Sequence, residues 1–218
     1  MVQAAPPRLK IAEIFLSLQG EARDTGRPSS FVRLTGCPLR CTYCDTAYAF
    51  HGGRWMTVDQ VLAAVEAHGV RPVCVTGGEP LAQRNCLHLL QALCEHGHEV
   101  SLETSGAVDL SGVDPRVTKI MDLKTPASGE AHRNRWENLD HLSSNDQVKF
   151  VICDRGDYLW SRDVLQRHGI PARCEVLFSP CWTRQDPAEL AQWILDDRLP
   201  VRLQLQLHKL LWGEVPGR

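Results

Sequence analysis

The sequence predicts an α/β fold, an incomplete, TIM-like barrel of about six or seven parallel strands with helices on its outer side. Short apolar runs alternate with amphipathic runs along the chain, which is the pattern of right-handed βαβ units. The length of 218 residues is short of the roughly 250 that a closed eight-unit barrel usually takes. The pattern alone leaves a doubly wound sheet open as the alternative.

Short apolar runs bounded by turn residues predict the strands, because a strand buried in a parallel sheet is apolar over most of its length. In chain order these runs cover residues 11–18, 31–34, 73–76, 100–103, 120–123, 148–152, 175–178 and 201–205.

Apolar residues spaced three and four apart predict the helices, and residues typical of helix ends support them. Thr57 is suited to cap the first helix and Gly69 to end it. Asp186 and Pro187 form a typical start for the last one. The predicted helices cover residues 57–68, 81–96, 136–142, 158–168 and 187–195.

No repeat, linker or low-complexity tract interrupts the sequence, so we expect a single domain over residues 1–218. A net charge of −2 argues against a nucleic-acid partner. No apolar run is long enough to span a membrane, and the first residues do not resemble a secretory signal. We therefore expect a cytoplasmic protein with no membrane attachment.

Nine cysteines are a high number, and in the cytoplasm they should be reduced. Six of them are scattered, most within apolar runs, and are interpreted as small core residues. The other three, Cys37, Cys41 and Cys44, follow a predicted strand within eight residues of each other. Clustered cysteines of this kind are more often metal ligands than disulfide partners.

Three clustered thiolates favour an iron–sulfur cluster over a structural zinc ion. Thiolates bind soft metals, but a structural zinc site needs four protein ligands, and no histidine nearby completes the set. A cubane cluster held by Cys37, Cys41 and Cys44 leaves one iron open to bind and reduce a small molecule. A zinc knuckle, or three unrelated core cysteines, is the alternative.

Further polar and glycine-rich segments follow other predicted strands. Because the carboxyl ends of parallel strands meet at one face of a barrel, we expect these segments to converge there. Gly77 and Gly78 let the backbone approach a ligand closely, and Glu79 is suited to accept a hydrogen bond from a ligand ammonium. Ser105 and Lys124 follow the next two strands.

The C-x3-C-x2-C spacing, with the aromatic Tyr43 before the third cysteine, resembles the signature of the radical SAM superfamily. In that superfamily S-adenosylmethionine (SAM) chelates the open iron of a [4Fe–4S] cluster and is cleaved to a 5′-deoxyadenosyl radical. The resemblance implies that the cluster is held by Cys37, Cys41 and Cys44. The SAM-binding residues that it implies are Tyr43, Gly77, Gly78, Glu79, Ser105 and Lys124.

Other segments narrow the resemblance to the 7-carboxy-7-deazaguanine synthase family. They are Phe15-Leu-Ser-Leu-Gln-Gly-Glu21, Arg33, Asp45-Thr46 and Gln206-Leu-His208-Lys209 with Trp212. That family converts 6-carboxy-5,6,7,8-tetrahydropterin to 7-carboxy-7-deazaguanine with loss of ammonia, in queuosine and deazapurine biosynthesis. The adenosyl radical removes hydrogen from C6 of the pterin, the ring contracts, and SAM is regenerated.

The resemblance also implies a magnesium ion, held by Thr46 together with the substrate carboxylate. Mg²⁺ prefers oxygen ligands and keeps several waters, so one hydroxyl can suffice as the protein's contribution. Arg33 is suited to make charge-assisted bonds to the substrate carboxylate, and His208 to close the site. The expected substrate-binding residues are Leu18, Gln19, Gly20, Glu21, Arg33, Thr76 and His208.

The family further implies a homodimer, with flavodoxin or ferredoxin as the reductant. The tail at residues 213–218 shows no family pattern, so a substrate contact by the carboxylate of Arg218 is not expected. One alternative is a radical SAM activating enzyme for a glycyl-radical partner, although those enzymes lack the Leu-Gln-Gly-Glu segment seen here. A non-catalytic electron carrier is another, although a carrier has no need of a SAM pocket.

Overall fold

The computed structural model describes residues 6–215 and 217, and Arg218 lies outside the described residues. Nine strands form one sheet, in the order β3-β1-β2-β4-β5-β6-β7-β8-β9. Their bounds are β1 (Arg8–Leu18), β2 (Pro28–Leu34), β3 (Arg54–Thr57), β4 (Pro72–Gly77), β5 (Glu99–Thr104), β6 (Thr118–Asp122), β7 (Gln147–Ile152), β8 (Glu175–Pro180) and β9 (Arg202–Leu203).

Five α-helices accompany the sheet: α1 (Val58–Glu66), α2 (Cys86–Glu95), α3 (Arg155–His168), α4 (Pro187–Asp196) and α5 (Leu207–Trp212). Local sequence explains their ends. Thr57 and Gln60 form a reciprocal capping box at the start of α1. Asp186 accepts a hydrogen bond from the first turn of α4. Gly169 ends α3 in the left-handed conformation that glycine adopts most readily. No helix in the described part of the chain is long and apolar enough to cross a membrane.

The predicted fold class is confirmed. In the order of the sheet, the seven strands β2, β4, β5, β6, β7, β8 and β9 are parallel to one another. They form the parallel part of an incomplete barrel. The order begins with β3 and ends with β9, so the sheet is open. The sequence did not predict β3, nor that β1 runs antiparallel to β2 and β3 at that edge. A four-residue edge strand carries too few residues for a clear periodic signal.

The two faces of the sheet differ in character, because successive side chains of a strand point to opposite sides. The outer side chains pack with the helices in the main core; Val32, Val75, Met121 and Phe150 are examples. Their neighbours in sequence point inward near the carboxyl ends of the strands and line a cavity. These inward residues include Arg33, Thr76, Asp122 and Lys149.

Three predicted elements differ from the structure, and one helix was not predicted. The helix predicted over residues 81–96 is a short 3-10 turn followed by α2: the Glu79 carboxylate caps the start of the turn by accepting the Leu81 N–H, and the turn ends at Gln83, whose backbone is extended. The segment predicted as a helix over 136–142 is a 3-10 helix tied down by the Asn138 side chain. The strand predicted over 201–205 is only the two-residue β9. Helix α5 was not predicted, since six residues show little periodicity.

Candidate active site

A cavity of about 420 Å³ lies at the carboxyl ends of the parallel strands. The loops after β1, β2, β4, β5, β6 and β8, together with α5, form its wall. Every site residue expected from the sequence lines this cavity, apart from Glu79. They are Leu18, Gln19, Gly20, Glu21, Arg33, Cys37, Cys41, Tyr43, Cys44, Thr46, Thr76, Gly77, Gly78, Ser105, Lys124 and His208.

The three clustered cysteines are half-buried free thiols on the loop after β2. Burial raises the pKa of the Cys41 thiol to about 11 and also raises the pKa of Cys37. The N–H of Leu39 approaches the Cys37 sulfur at 3.5 Å. Because the raised pKa values favour the protonated thiols of Cys37 and Cys41, binding of a metal there must release protons.

The geometry of the cysteines fits a cluster better than a single ion. Within residues 6–215 and 217, no three His, Cys, Asp or Glu side chains converge closely enough to hold one metal ion. A cubane does not need that convergence, because each thiolate binds a different iron. Three thiols around a cavity with room for a further molecule therefore fit a [4Fe–4S] cluster with one open iron.

The segment after β4 packs directly against the cysteine loop. The Glu79 N–H donates to the Gly36 carbonyl at 2.8 Å, and the Gly78 N–H donates to the Leu34 carbonyl at 3.2 Å. A Cβ atom on Gly78 would collide with the Gly36 carbonyl and lie 2.8 Å from the Cys37 Cβ. Only glycine fits at this crossing, which keeps the backbone of β4 next to the first cysteine.

Gly78→Ala is expected to lower SAM cleavage by about 100-fold, because the added methyl group displaces the loop that holds Cys37. The check is 5′-deoxyadenosine formation under reducing, anaerobic conditions, together with iron per chain. Gly112→Ala is the control, since there the Cβ would meet only the flexible end of the Leu87 side chain at 3.0 Å. Wild-type cleavage in Gly78→Ala would contradict the close packing described here.

Glu79 requires a correction. We expected its carboxylate to bind the SAM ammonium, but the side chain is fully buried and does not line the cavity. One carboxylate oxygen accepts from Leu81 N–H and the Thr104 hydroxyl, and the other from Ser105 N–H and hydroxyl. A carboxylate has about four acceptor positions, and all are filled. Glu79 therefore joins the loop after β4 to the end of β5 and positions Ser105.

The segment 19–21 after β1 contacts helix α5. The Gly20 carbonyl accepts from Leu207 N–H at 2.9 Å, and a Cβ on Gly20 would collide with the His208 ring. The Gln206 amide donates to Glu21 at 2.8 Å. These contacts bring His208 from the end of the chain to the expected substrate residues near its beginning.

Arg33 is held by a neighbour that the sequence analysis did not single out. Its Nε donates to the Glu13 carboxylate at 2.7 Å, and the Tyr48 hydroxyl donates to the same oxygen at 2.8 Å. The guanidinium carbon lies 5.8 Å from the centre of the Phe15 ring. With Nε occupied, the terminal nitrogens of Arg33 are the groups available to a carboxylate in the cavity.

Four charged side chains form a row across the floor of the cavity. Lys149 Nζ lies 2.6 Å from Glu21 and 3.3 Å from Asp122, and Lys124 Nζ lies 3.1 Å from Asp122. Burial opposes ionisation of Glu21, yet Lys149 and the Gln206 amide hold its pKa at about 2. Lys149 was missed, although a lysine inside the apolar run 148–152 was a signal that could have identified it.

Thr46 lies beside an ion pair that joins two distant parts of the chain. Its hydroxyl donates to Asp45 at 2.8 Å, and Lys209 Nζ lies 2.6 Å from the other Asp45 oxygen. Burial opposes ionisation of Asp45, but Lys209 and the Thr46 hydroxyl hold its pKa at about 2. Oxygen atoms at this wall of the cavity are of the kind that Mg²⁺ prefers.

Comparison with known proteins gives consistent results. Residues 31–124 match the radical SAM superfamily. Proteins named 7-carboxy-7-deazaguanine synthase from Chlorobaculum tepidum and Koribacter versatilis are 45% and 44% identical to this chain, over 94% of it and 94% and 97% of their own lengths.

Solved structures share the fold. QueE from Escherichia coli matches with a TM-score of 0.76 and 23% identity, over 92% of this chain and 95% of that one. Streptococcus suis SuiB bound to its precursor peptide SuiA matches with a TM-score of 0.58 and 14% identity, over 78% of this chain and 46% of that one.

Proposed function

The chain belongs to the 7-carboxy-7-deazaguanine synthase family of radical SAM enzymes, and from this premise we propose how its cavity performs that activity. The reaction converts 6-carboxy-5,6,7,8-tetrahydropterin to 7-carboxy-7-deazaguanine with loss of ammonia. One observation carries the proposal: a single cavity brings the three cysteines together with Gln19, Arg33 and the other expected substrate residues. The alternative, activation of a glycyl-radical protein, is not favoured by relatives that match over nearly the full chain.

The cofactors are a [4Fe–4S] cluster and SAM, which together supply the radical that starts the ring contraction. We assign the cluster to Cys37, Cys41 and Cys44. The backbone of Gly77 and Gly78 lies next to the cysteine loop at the cavity wall. Its polar groups can form hydrogen bonds with SAM. Lys124, mostly buried and close to Cys41, would supply a positive charge for the SAM carboxylate. The Tyr43 ring supplies an apolar wall.

Recognition of the pterin is assigned to polar groups of β2, β4 and β5 and of the segment after β1, which line the same cavity. Gln19 and Thr76 both donate to Glu103, at 3.4 and 3.0 Å, so these three groups form one acceptor and donor surface. Its mixture of amide and carboxylate groups suits the amide and guanidine-like edges of a pterin. Arg33 is placed to bind the substrate carboxylate, with Glu13 fixing its orientation.

Leu18, Gly20, Glu21 and His208 complete the proposed substrate site. Leu18 supplies apolar contact, and Gly20 offers its backbone next to the His208 ring. Glu21, ionised and held by Lys149 and the Gln206 amide, keeps acceptor lone pairs that can take hydrogen bonds from the guanidine-like edge. His208 lies on α5, so this helix closes the pocket that the segment after β1 helps to form.

We propose that Thr46 contributes its hydroxyl oxygen to Mg²⁺, and that the substrate carboxylate and waters complete the coordination. We also propose that the protein forms a homodimer and that flavodoxin or ferredoxin supplies the low-potential electron. The proposed location is the cytoplasm, which keeps the cysteines reduced. The exposed apolar side chains of Leu210, Leu211 and Val215 are consistent with a surface covered by a second copy.

The test is product analysis after anaerobic incubation of the reconstituted protein with SAM, Mg²⁺, dithionite and 6-carboxy-5,6,7,8-tetrahydropterin. We expect 7-carboxy-7-deazaguanine and ammonia in equal amounts, with SAM not consumed in proportion to product. A reaction mixture without SAM is the control. SAM cleavage without any pterin product would overturn the proposed function while leaving the radical SAM chemistry in place.

A further inference from the structure

Lys209 is a buried ammonium group whose only described charged contact is Asp45. Its side chain is 6% exposed, and Nζ lies 2.6 Å from Asp45 Oδ2. Lys209 stands on α5, and Asp45 directly follows the last clustered cysteine. The Asp45 side chain is 39% exposed, and an ion pair with an exposed partner contributes little to stability, so the pair is weak evidence for a purely stabilising role.

Other contacts already attach α5 to the rest of the chain. Leu207 N–H donates to the Gly20 carbonyl, and the Gln206 amide donates to Glu21. The pair between Lys209 and Asp45 is therefore not required simply to dock the helix. Its position next to Thr46, at the wall of the cavity, suggests a role in the site.

The geometry around Asp45 determines what Thr46 offers to the cavity. The Thr46 hydroxyl hydrogen is directed at Asp45 Oδ1, at an oxygen–oxygen distance of 2.8 Å. A hydroxyl has one hydrogen and two lone pairs, so its lone pairs are then free to face a cation. Asp45 itself would be the stronger ligand for a divalent cation, but Lys209 occupies and neutralises it.

We propose that Lys209 makes cation binding conditional on the substrate. With Asp45 paired to Lys209, the chain offers Mg²⁺ a neutral hydroxyl at this position, and the negative charge that the ion needs must come from the substrate carboxylate. Lys209 is thus a positioning and specificity-determining residue that acts through Asp45. The inference rests on the proposed function, because it takes the carboxylated pterin as the substrate.

The experiment measures Mn²⁺ binding to the reconstituted protein with its cluster oxidised and SAM present, by the electron paramagnetic resonance signal of free Mn²⁺. In the wild type, binding is expected only after the carboxylated pterin is added. In Lys209→Met, Asp45 is released, and Mn²⁺ should bind without pterin at least about tenfold more tightly than in the wild type. The Lys209→Met/Asp45→Asn variant should lose that gain.

Lys119→Met is the matched control. Lys119 is also a buried lysine, 3.1 Å from the buried Asp146, but the pair lies at the amino ends of β6 and β7, away from the cavity. This control separates the loss of a buried lysine and its ion pair from a change at the cation position. It should leave Mn²⁺ binding as in the wild type.

Asp45→Asn provides a second, independent measurement should Lys209→Met fold poorly. It leaves the Lys209 charge uncompensated, so Mn²⁺ binding in the presence of pterin should weaken by about tenfold. Unchanged binding in Asp45→Asn overturns the inference, as does tight Mn²⁺ binding by the wild type without pterin. So does a folded Lys209→Met protein that binds Mn²⁺ no better than the wild type.

Failure of the proposed function gives a different result. In that case the wild type forms no product and adding pterin does not promote Mn²⁺ binding. The comparison of Lys209→Met with the wild type in the absence of pterin still decides whether Lys209 neutralises Asp45 at this position.

Discussion

Cys41→Ala is expected to abolish SAM cleavage and to leave little iron bound to the protein. Cys41 is one of three thiols around the cavity, and a cubane that keeps a single open iron needs all three. With Cys41 removed, two irons lack a protein ligand, and the cluster becomes labile and loses the geometry that binds SAM. The measurements are iron and sulfide per chain, the visible absorption of the cluster, and 5′-deoxyadenosine formed after reduction.

Cys94→Ala serves as the matched control. Cys94 is a free, half-buried cysteine on α2, packed against the main core and outside the cavity. We expect wild-type iron content and SAM cleavage in that variant. If Cys41→Ala retained full cleavage with a complete cluster, the assignment of the three ligands would be wrong.

Lys149→Met is expected to lower the free energy of unfolding by about 3–5 kcal/mol, because removing one partner of a buried ion pair leaves an uncompensated charge. Glu21 loses its nearest cation at 2.6 Å, and Asp122 retains only Lys124. Turnover should also fall, since Glu21 is no longer held in place for the substrate. The measurements are anaerobic chemical denaturation and the rate of product formation.

A double variant separates charge from packing in this prediction. Lys149→Met/Glu21→Gln removes both the cation and its main partner, so much of the lost stability should return while turnover stays low. A loss of stability in Lys149→Met below about 1 kcal/mol, in the range typical of exposed ion pairs, would show that the row of charges is not effectively buried.

Much of the site was predictable because its signals are local. Three cysteines within eight residues and glycines directly after a strand are visible in short stretches of sequence. The expectation that strand-end segments meet at one face needs only the parallel arrangement, which the alternation of apolar and amphipathic runs indicates. The same reasoning placed Gly77, Ser105 and Lys124 correctly at the cavity wall, and the resemblance did so for Arg33 and Thr76.

The roles of Glu79 and Lys149 could not be predicted in this way. Whether a carboxylate faces a ligand, or has its acceptor positions occupied by neighbouring donors, depends on which strand lies next to it. For Glu79 these donors lie at the end of β5. Lys149 meets Glu21 because the segment after β1 reaches the inner side of β7. No periodic pattern records a contact between such distant positions.

The sequence by itself predicted the parallel α/β character of the fold and the cysteine loop, since each depends on local pattern and spacing, and its motifs resemble those of the family that the relatives then showed. Only the tertiary structure decided which charged groups are neutralised, which oxygen atoms remain available to a ligand, and that α5 closes the cavity. The physical reason is that charge pairing and burial arise from the packing of segments far apart in sequence, whereas propensity and spacing act between near neighbours.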